Sequence, residues 1–158
     1  MLKYTKFVLL SLIAITCSNL TGCVRALLPT SENQLISKAI NNGFEAELDV
    51  DYVEAYANLK QAYEKCIAYK SFTDQSYIAI NANLDRDAKM GSITANANYG
   101  TYVSKVNLHE ISPKKTKINL YLAQSKLLTN NFNLIQGHKR FEAEVNRALG
   151  ADTKCNKN

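Results

Sequence analysis

The chain has 158 residues, 46% of them apolar, and 19 Lys and Arg against 14 Asp and Glu for a formal net charge of +5. That length and apolar content suit one domain with its own core. The basic excess is weak and spread out, which excludes the concentrated basic face that a nucleic-acid partner requires.

Taken in chain order, Lys3 and Lys6 precede an apolar run from Phe7 to Ile15, and small residues then lead to Leu20-Thr21-Gly22-Cys23. A basic start, a short apolar stretch and small residues are the three parts of a targeting segment. A retained transmembrane helix competes with this reading, but a span needs roughly 20 apolar residues and the clean run is shorter. An ordinary secretory signal, with Cys23 left as a free thiol, is the second competitor.

Leu20-Thr21-Gly22-Cys23 resembles the lipobox of bacterial lipoproteins, in which Leu, a small residue, Gly or Ala, and Cys follow one another. The resemblance covers the first 23 residues. It implies that the Cys23 thiol takes a diacylglyceryl group, that the chain is cut before it, and that the new amine is often acylated too. Two or three long acyl chains, at about 0.8 kcal/mol per buried CH₂, make an effectively permanent membrane anchor. Where sorting depends on the next residue, Val24 in place of Asp implies the outer membrane, facing the periplasm. Residues 1–22 are then a signal peptide, 23–33 a lipidated tether, and 34–158 a single α+β domain. Lys3 and Lys6 leave with the signal and no acid does, so 17 bases face 14 acids and the mature charge is +3.

With Cys17 removed and Cys23 lipidated, Cys66 and Cys155 remain. In an oxidising envelope such a pair reads most simply as a disulfide. Two buried thiols or a catalytic Cys are the alternatives, but Cys66 has no adjacent His and Cys155 sits in a polar tail.

Pro29, Thr30, Ser31 and Asn33 disfavour regular structure before Leu35-Ile36, and Ala39-Ile40 allow a helical turn. Asn41-Asn42-Gly43 signals a turn, after which Phe44, Ala46 and Leu48 alternate with acids as a short edge strand. Asp51 and Glu54 form a capping-box pattern opening a helix to about Tyr69. Its stripe is Tyr52, Tyr56, Leu59, Tyr63, Cys66, Ile67 and Lys70. A Tyr-rich stripe reads as a helix packed on a sheet, with a ligand surface as the alternative.

From Tyr77 to Leu122 the period becomes two. Ile78, Ile80, Ala82 and Leu84 share one face, as do Ile93, Ala95 and Ala97, then Val106 and Leu108, then Ile118, Leu120 and Leu122. Turns are expected at Asp85-Arg86-Asp87, Asn98-Tyr99-Gly100 and Pro113-Lys114-Lys115, with a bulge or strand end at Ile111. The opposite face carries Asn81, Asn83, Thr94, Asn96, Lys105, Asn107, His109, Lys117, Asn119 and Tyr121. It can sit in water unaided, or it can bind a glycan or another small polar ligand through Asn81, Asn83, Asn96, Asn107, His109 and Tyr121.

After a connection at Leu127-Leu128 and Asn130-Asn131, a second helix is expected from about Leu134 to Leu149. Leu134, Phe141, Val145, Ala148 and Leu149 should form its buried side, and Gly150 its C′ residue. The expected fold is therefore an α+β two-layer sandwich, a four- to five-stranded antiparallel meander with two helices on one face. A Cys66–Cys155 bridge would clamp the exits of both helices.

No motif for a metal or any other cofactor occurs: His109 and His138 lie on different elements, and no G-x-S-x-G, H-E-x-x-H or phosphate-binding Gly loop is found. Asp85, Asp87 and Glu110 could serve as acid and base only if they converged. Lys114, Lys115 and Lys117 make a basic hairpin tip, either a solvated turn or a contact to an anionic leaflet. The order of elements loosely resembles small bacterial envelope lipoproteins without assigned function. The expected role is a non-enzymatic structural or interaction module, held to the membrane by its lipid and free to meet an envelope protein or glycan.

Overall fold

The computed structural model describes residues 28–124, 129–152 and Cys155. The signal segment, residues 23–27 of the tether including Cys23, and the Leu127-Leu128 connection lie outside the described residues. Among the described residues the fold is α+β: an open six-stranded antiparallel sheet with three α-helices.

Helix α1 (Glu32–Ser37) begins earlier than the sequence suggested. Ser31 caps it, its hydroxyl accepting from Gln34 N. A Ser-x-x-Gln pattern at 31–34 is the signal that marks this start. Asn41 and Asn42 adopt positive φ in the turn before strand β1 (Phe44–Leu48), a conformation that Asn tolerates better than most residues. Asp51 caps α2 (Tyr52–Cys66), its carboxylate accepting from Val53 and Glu54 N.

The helix stops at Cys66 rather than near Tyr69, and Tyr69–Lys70 forms instead the two-residue strand β2. β3 (Tyr77–Asp85), β4 (Met90–Ala97), β5 (Thr101–Ser112) and β6 (Lys115–Leu122) follow as consecutive antiparallel neighbours. The sheet order is β1-β6-β5-β4-β3-β2. The meander expected from alternation is present, and the sheet has six strands rather than four or five. The ladder between β5 and β6 shifts register between Glu110 and Ser112, leaving Ile111 as the extra residue expected there. A second shift, at Val103 between β4 and β5, gave no sign in the alternation.

Helix α3 (Asn130–Ala148) starts one turn before the expected Leu134, capped by Thr129. Gly150 takes φ +72 beyond its end, with Gly150 N donating to Arg147 O and Ala151 N to Asn146 O. This is the paired bonding of a Schellman ending, and it requires the left-handed residue.

Helices α2 and α3 pack on the same sheet face, α2 across β3–β6 and α3 over β1 and β6. The core lies between them: Ala55, Tyr56, Leu59 and Tyr63 of α2 meet Ile93, Ala95, Val106, Leu108, Ile118 and Leu120. Packing is close enough that a Cβ on Gly137 would stand 2.6 Å from the Phe44 ring. That ring is itself held between His138 and Phe141.

Cys66 and Cys155 are disulfide-bonded, with Cα atoms 5.2 Å apart. The bridge ties the end of α2 to the segment beyond α3. Helix α1 contacts β5 and β6, and its Glu32 pairs with Lys105. Lys105 belongs to the face opposite the long helices, so that face is partly covered at this end.

Candidate functional site

Each residue expected on the polar face is on it. Register aligns Asn81, Thr94, Lys105 and Tyr121 as one row across four strands. Asn83, Ser92, Asn107, Asn119 and Glu45 form the next, and Asp85, Met90, His109, Lys117 and Glu47 the third. Asn96 sits one row further along, within 3.5 Å of the Asn81 amide. Asn81, Asn83 and His109 are exposed, and Asn96, Asn107 and Tyr121 half-buried.

Much of this surface is already engaged. Lys117 pairs with Glu45 at 2.8 Å and Lys115 with Glu47 at 2.9 Å. The Lys117 hydrogen bond and charge hold the Glu45 carboxyl below its ordinary value, and those of Glu47 raise the Lys115 ammonium. Asn119 donates to Glu45 as well. Two of the three lysines of the expected basic hairpin tip are thus paired with the acids of β1.

The acid/base candidates do not converge. Asp85 accepts from Ala88 N within its own turn, while Glu110 pairs with Lys89 at 2.6 Å. Asp85 aligns with His109 and Glu110 follows His109, so the two carboxylates leave opposite faces of the sheet. Among the described residues, no three His, Cys, Asp or Glu side chains are grouped so as to hold a metal ion.

A cleft of about 100 Å³ opens beside the disulfide, lined by Asn58, Gln61, Lys65, Cys66, Arg147 and Asp152. Pockets for small organic ligands are typically about 300–1,000 Å³ and mostly apolar. A wider depression of about 530 Å³ runs along Lys139, Glu142, Asn146 and Asp152, polar and open to solvent.

The buried side of α3 departs from expectation. Ala148 is buried and Phe141 and Val145 pack against the core as expected, but Leu134 and Leu149 are exposed, and Asn133, Gly137, Glu144 and Arg147 are buried. Polar residues occupy the inward stripe, so hydropathy alone selected the wrong leucines. Glu144 is 0% exposed, with Arg140 Nε at 2.6 Å and Arg147 at 3.1 Å. Arg147 also reaches Asp152, and Arg140 lies over the Tyr63 ring.

Burial pushes the Glu144 carboxyl above its ordinary value, against the opposing pull of Arg140 and Arg147. Burial likewise pushes the Tyr63 hydroxyl up. A carboxyl raised by folding stabilises the fold fully below its unfolded value and loses that contribution as pH climbs through its folded value. Glu144→Gln removes this titration. The variant should therefore gain on wild type as pH rises above the ordinary carboxylate value, where the unfolded Glu144 ionises and the buried one resists. Urea midpoints across that rise in pH test it, and parallel curves would show the two arginines keeping the carboxylate ionised throughout.

No family model and no curated protein matches the chain. Among solved structures, a conserved protein from Geobacillus kaustophilus is similar at 15% identity, over 67% of this chain and 90% of that one, with a TM-score of 0.41. So slight a likeness carries no argument about function.

Proposed function

We propose that the chain is a lipoprotein of the bacterial envelope, anchored through Cys23 in the outer membrane and facing the periplasm, whose domain is a non-enzymatic structural or interaction module. The observation that carries the reading is Leu20-Thr21-Gly22-Cys23 behind a basic start and a short apolar run. The Cys66–Cys155 bridge supports it, because stable disulfides belong mainly to oxidising compartments. No helix among the described residues is long and apolar enough to cross a membrane. The engaged, non-convergent carboxylates favour contact over chemistry.

The test is the full-length chain expressed in a bacterium. Mass spectrometry should find the N-terminal peptide beginning at an acylated Cys23, and Cys23→Ser should abolish the acylation and the membrane association it confers. An unmodified Cys23, or a chain still starting at Met1, would refute the anchor. Photo-cross-linkers at Asn96 and Asn107 should capture a discrete envelope partner in intact cells, and capture of nothing would count against the interaction role.

The aligned amides of Asn83, Asn107 and Asn119 favour a second reading, a face that binds a glycan or other small polar ligand. Thermal shifts with cell-wall fragments would support it, and uniformly zero shifts would retire it.

A further inference from the structure

Most of the large apolar side chains left in water among the described residues gather at one end of the sheet, with Met90 and Ile111 exposed at the other. Phe72 is 93% exposed on the loop from β2 to β3, while Tyr69 on β2, Tyr77 at the start of β3 and Tyr99 in the turn after β4 are also exposed. Register puts them at one end of the sheet: Tyr69 pairs with Ile78, Ile78 with Ala97, and Ala97 with Thr101. The first turns of α3, with Phe132 and Ile135 exposed, start at that end too, where Gln124 donates to Asn130 just past β6. Single exposed apolar residues are ordinary, but a cluster of them marks a contact surface.

The Phe72 loop is already fixed. Ser71 N donates to Ser76 O at 2.8 Å, and the Asp74 carboxylate accepts from Ser76 N at 3.1 Å and Ser76 Oγ at 2.8 Å. Asn98 closes the other side, donating to Gln75 O and accepting from Tyr77 N. A side chain presented on a held loop loses little further freedom when it is covered.

The path of the chain indicates what covers it. Tyr102 N donates to Pro29 O at 2.8 Å, so the polypeptide coming from Cys23 joins the domain at this same end. Six residue steps separate Cys23 from Pro29, at most about 22 Å of chain. Given the lipid anchor proposed above, on which this inference rests, so short a link keeps the aromatic end within reach of the headgroups. Aromatic rings, those of Tyr especially, settle at that depth because the ring is apolar and the hydroxyl stays wet. The turns at the other end, after β3 and after β5, carry the paired lysines Lys89 and Lys115.

We propose that the sheet end formed by Tyr69, Phe72, Tyr77 and Tyr99 docks on the surface of the bilayer that holds Cys23, so that the domain stands upright with its β3–β4 and β5–β6 turns pointing away.

The chain contains no tryptophan, so a single introduced one is an unambiguous reporter. Phe72→Trp, Tyr99→Trp and, at the far end, Met90→Trp are to be made in the full-length chain, purified from bacterial membranes and reconstituted into phosphatidylcholine vesicles with brominated acyl chains. The Phe72 and Tyr99 reporters should emit at shorter wavelength and lose most of their emission to bromine, and the Met90 reporter should do neither. An unshifted Phe72 reporter, or equal quenching at both ends, overturns the docking surface. A shifted but unquenched reporter means that a second protein covers the end, and overturns it as well. Mass spectrometry of the same preparation separates the two claims: acylated Cys23 with unquenched reporters defeats the docking alone, and unmodified Cys23 defeats the anchor beneath it.

Discussion

Replacing Cys66 and Cys155 together with Ala is expected to lower the unfolding free energy by about 4 kcal/mol. The bridge closes a loop of 89 residues that contains β2 to β6 and all of α3. Cross-linking a loop of that length removes roughly 4–5 kcal/mol of chain entropy from the unfolded state in the loop-closure model, and native strain subtracts from it. Domains of this size hold about 5–15 kcal/mol in total, so the loss is a large share. Urea titration of oxidised wild type and the double variant gives the difference directly. A change below about 1 kcal/mol would mean that the unfolded chain is already compact without the bridge.

The second large effect is expected at Leu59. Its side chain is 0% exposed and lies in the main cluster between α2 and the sheet. Leu59→Ala removes buried methyl groups and leaves a cavity walled by strands that cannot close in, at a cost of about 3–4 kcal/mol. Leu84 faces the same side but sits on β3, beyond which only the two residues of β2 are paired, and it is half-buried. Leu84→Ala should cost under about 1.5 kcal/mol, because less of its surface leaves water on folding. Equal losses would show that the core extends under β3 as densely as under β4 to β6.

These two leucines illustrate what could be read without coordinates. Alternation from Tyr77 to Leu122 assigned Asn81, Thr94, Lys105, Asn107, Lys117 and their row neighbours on β3 to β6, Met90 apart, to the polar face, because a strand's period admits only two directions. It said nothing about distance from the sheet's edge, which separates Leu84 from Leu108. The Tyr-bearing stripe of α2 was legible for a similar reason, four buried positions recurring at helical spacing. The stripe of α3 was legible only in part, at Phe141, Val145 and Ala148. Glu144 and Arg147 are hydrophilic by any scale and are buried as an ion pair, a property of pairs that no single-residue periodicity can register. β2 escaped notice since two residues have no period, and α1 since its Ser31 and Gln34 signature lay in a segment dominated by turn-formers. The gathering of Tyr69, Phe72, Tyr77 and Tyr99 depends on which strand ends are neighbours, so it emerged only with the topology.

The pairing of β1 with β6 bears on the order of assembly. Phe44 meets Leu120 and Leu48 meets Thr116, so a strand made early waits for one made late, with α2 carrying the chain from one margin of the sheet to the other in between. Contacts so distant in sequence are slow to form. A nascent chain emerging amino end first would display Phe44, Ala46 and Leu48 uncovered until nearly all of it had been delivered. β1 is therefore the segment on which a chaperone would have most to hold.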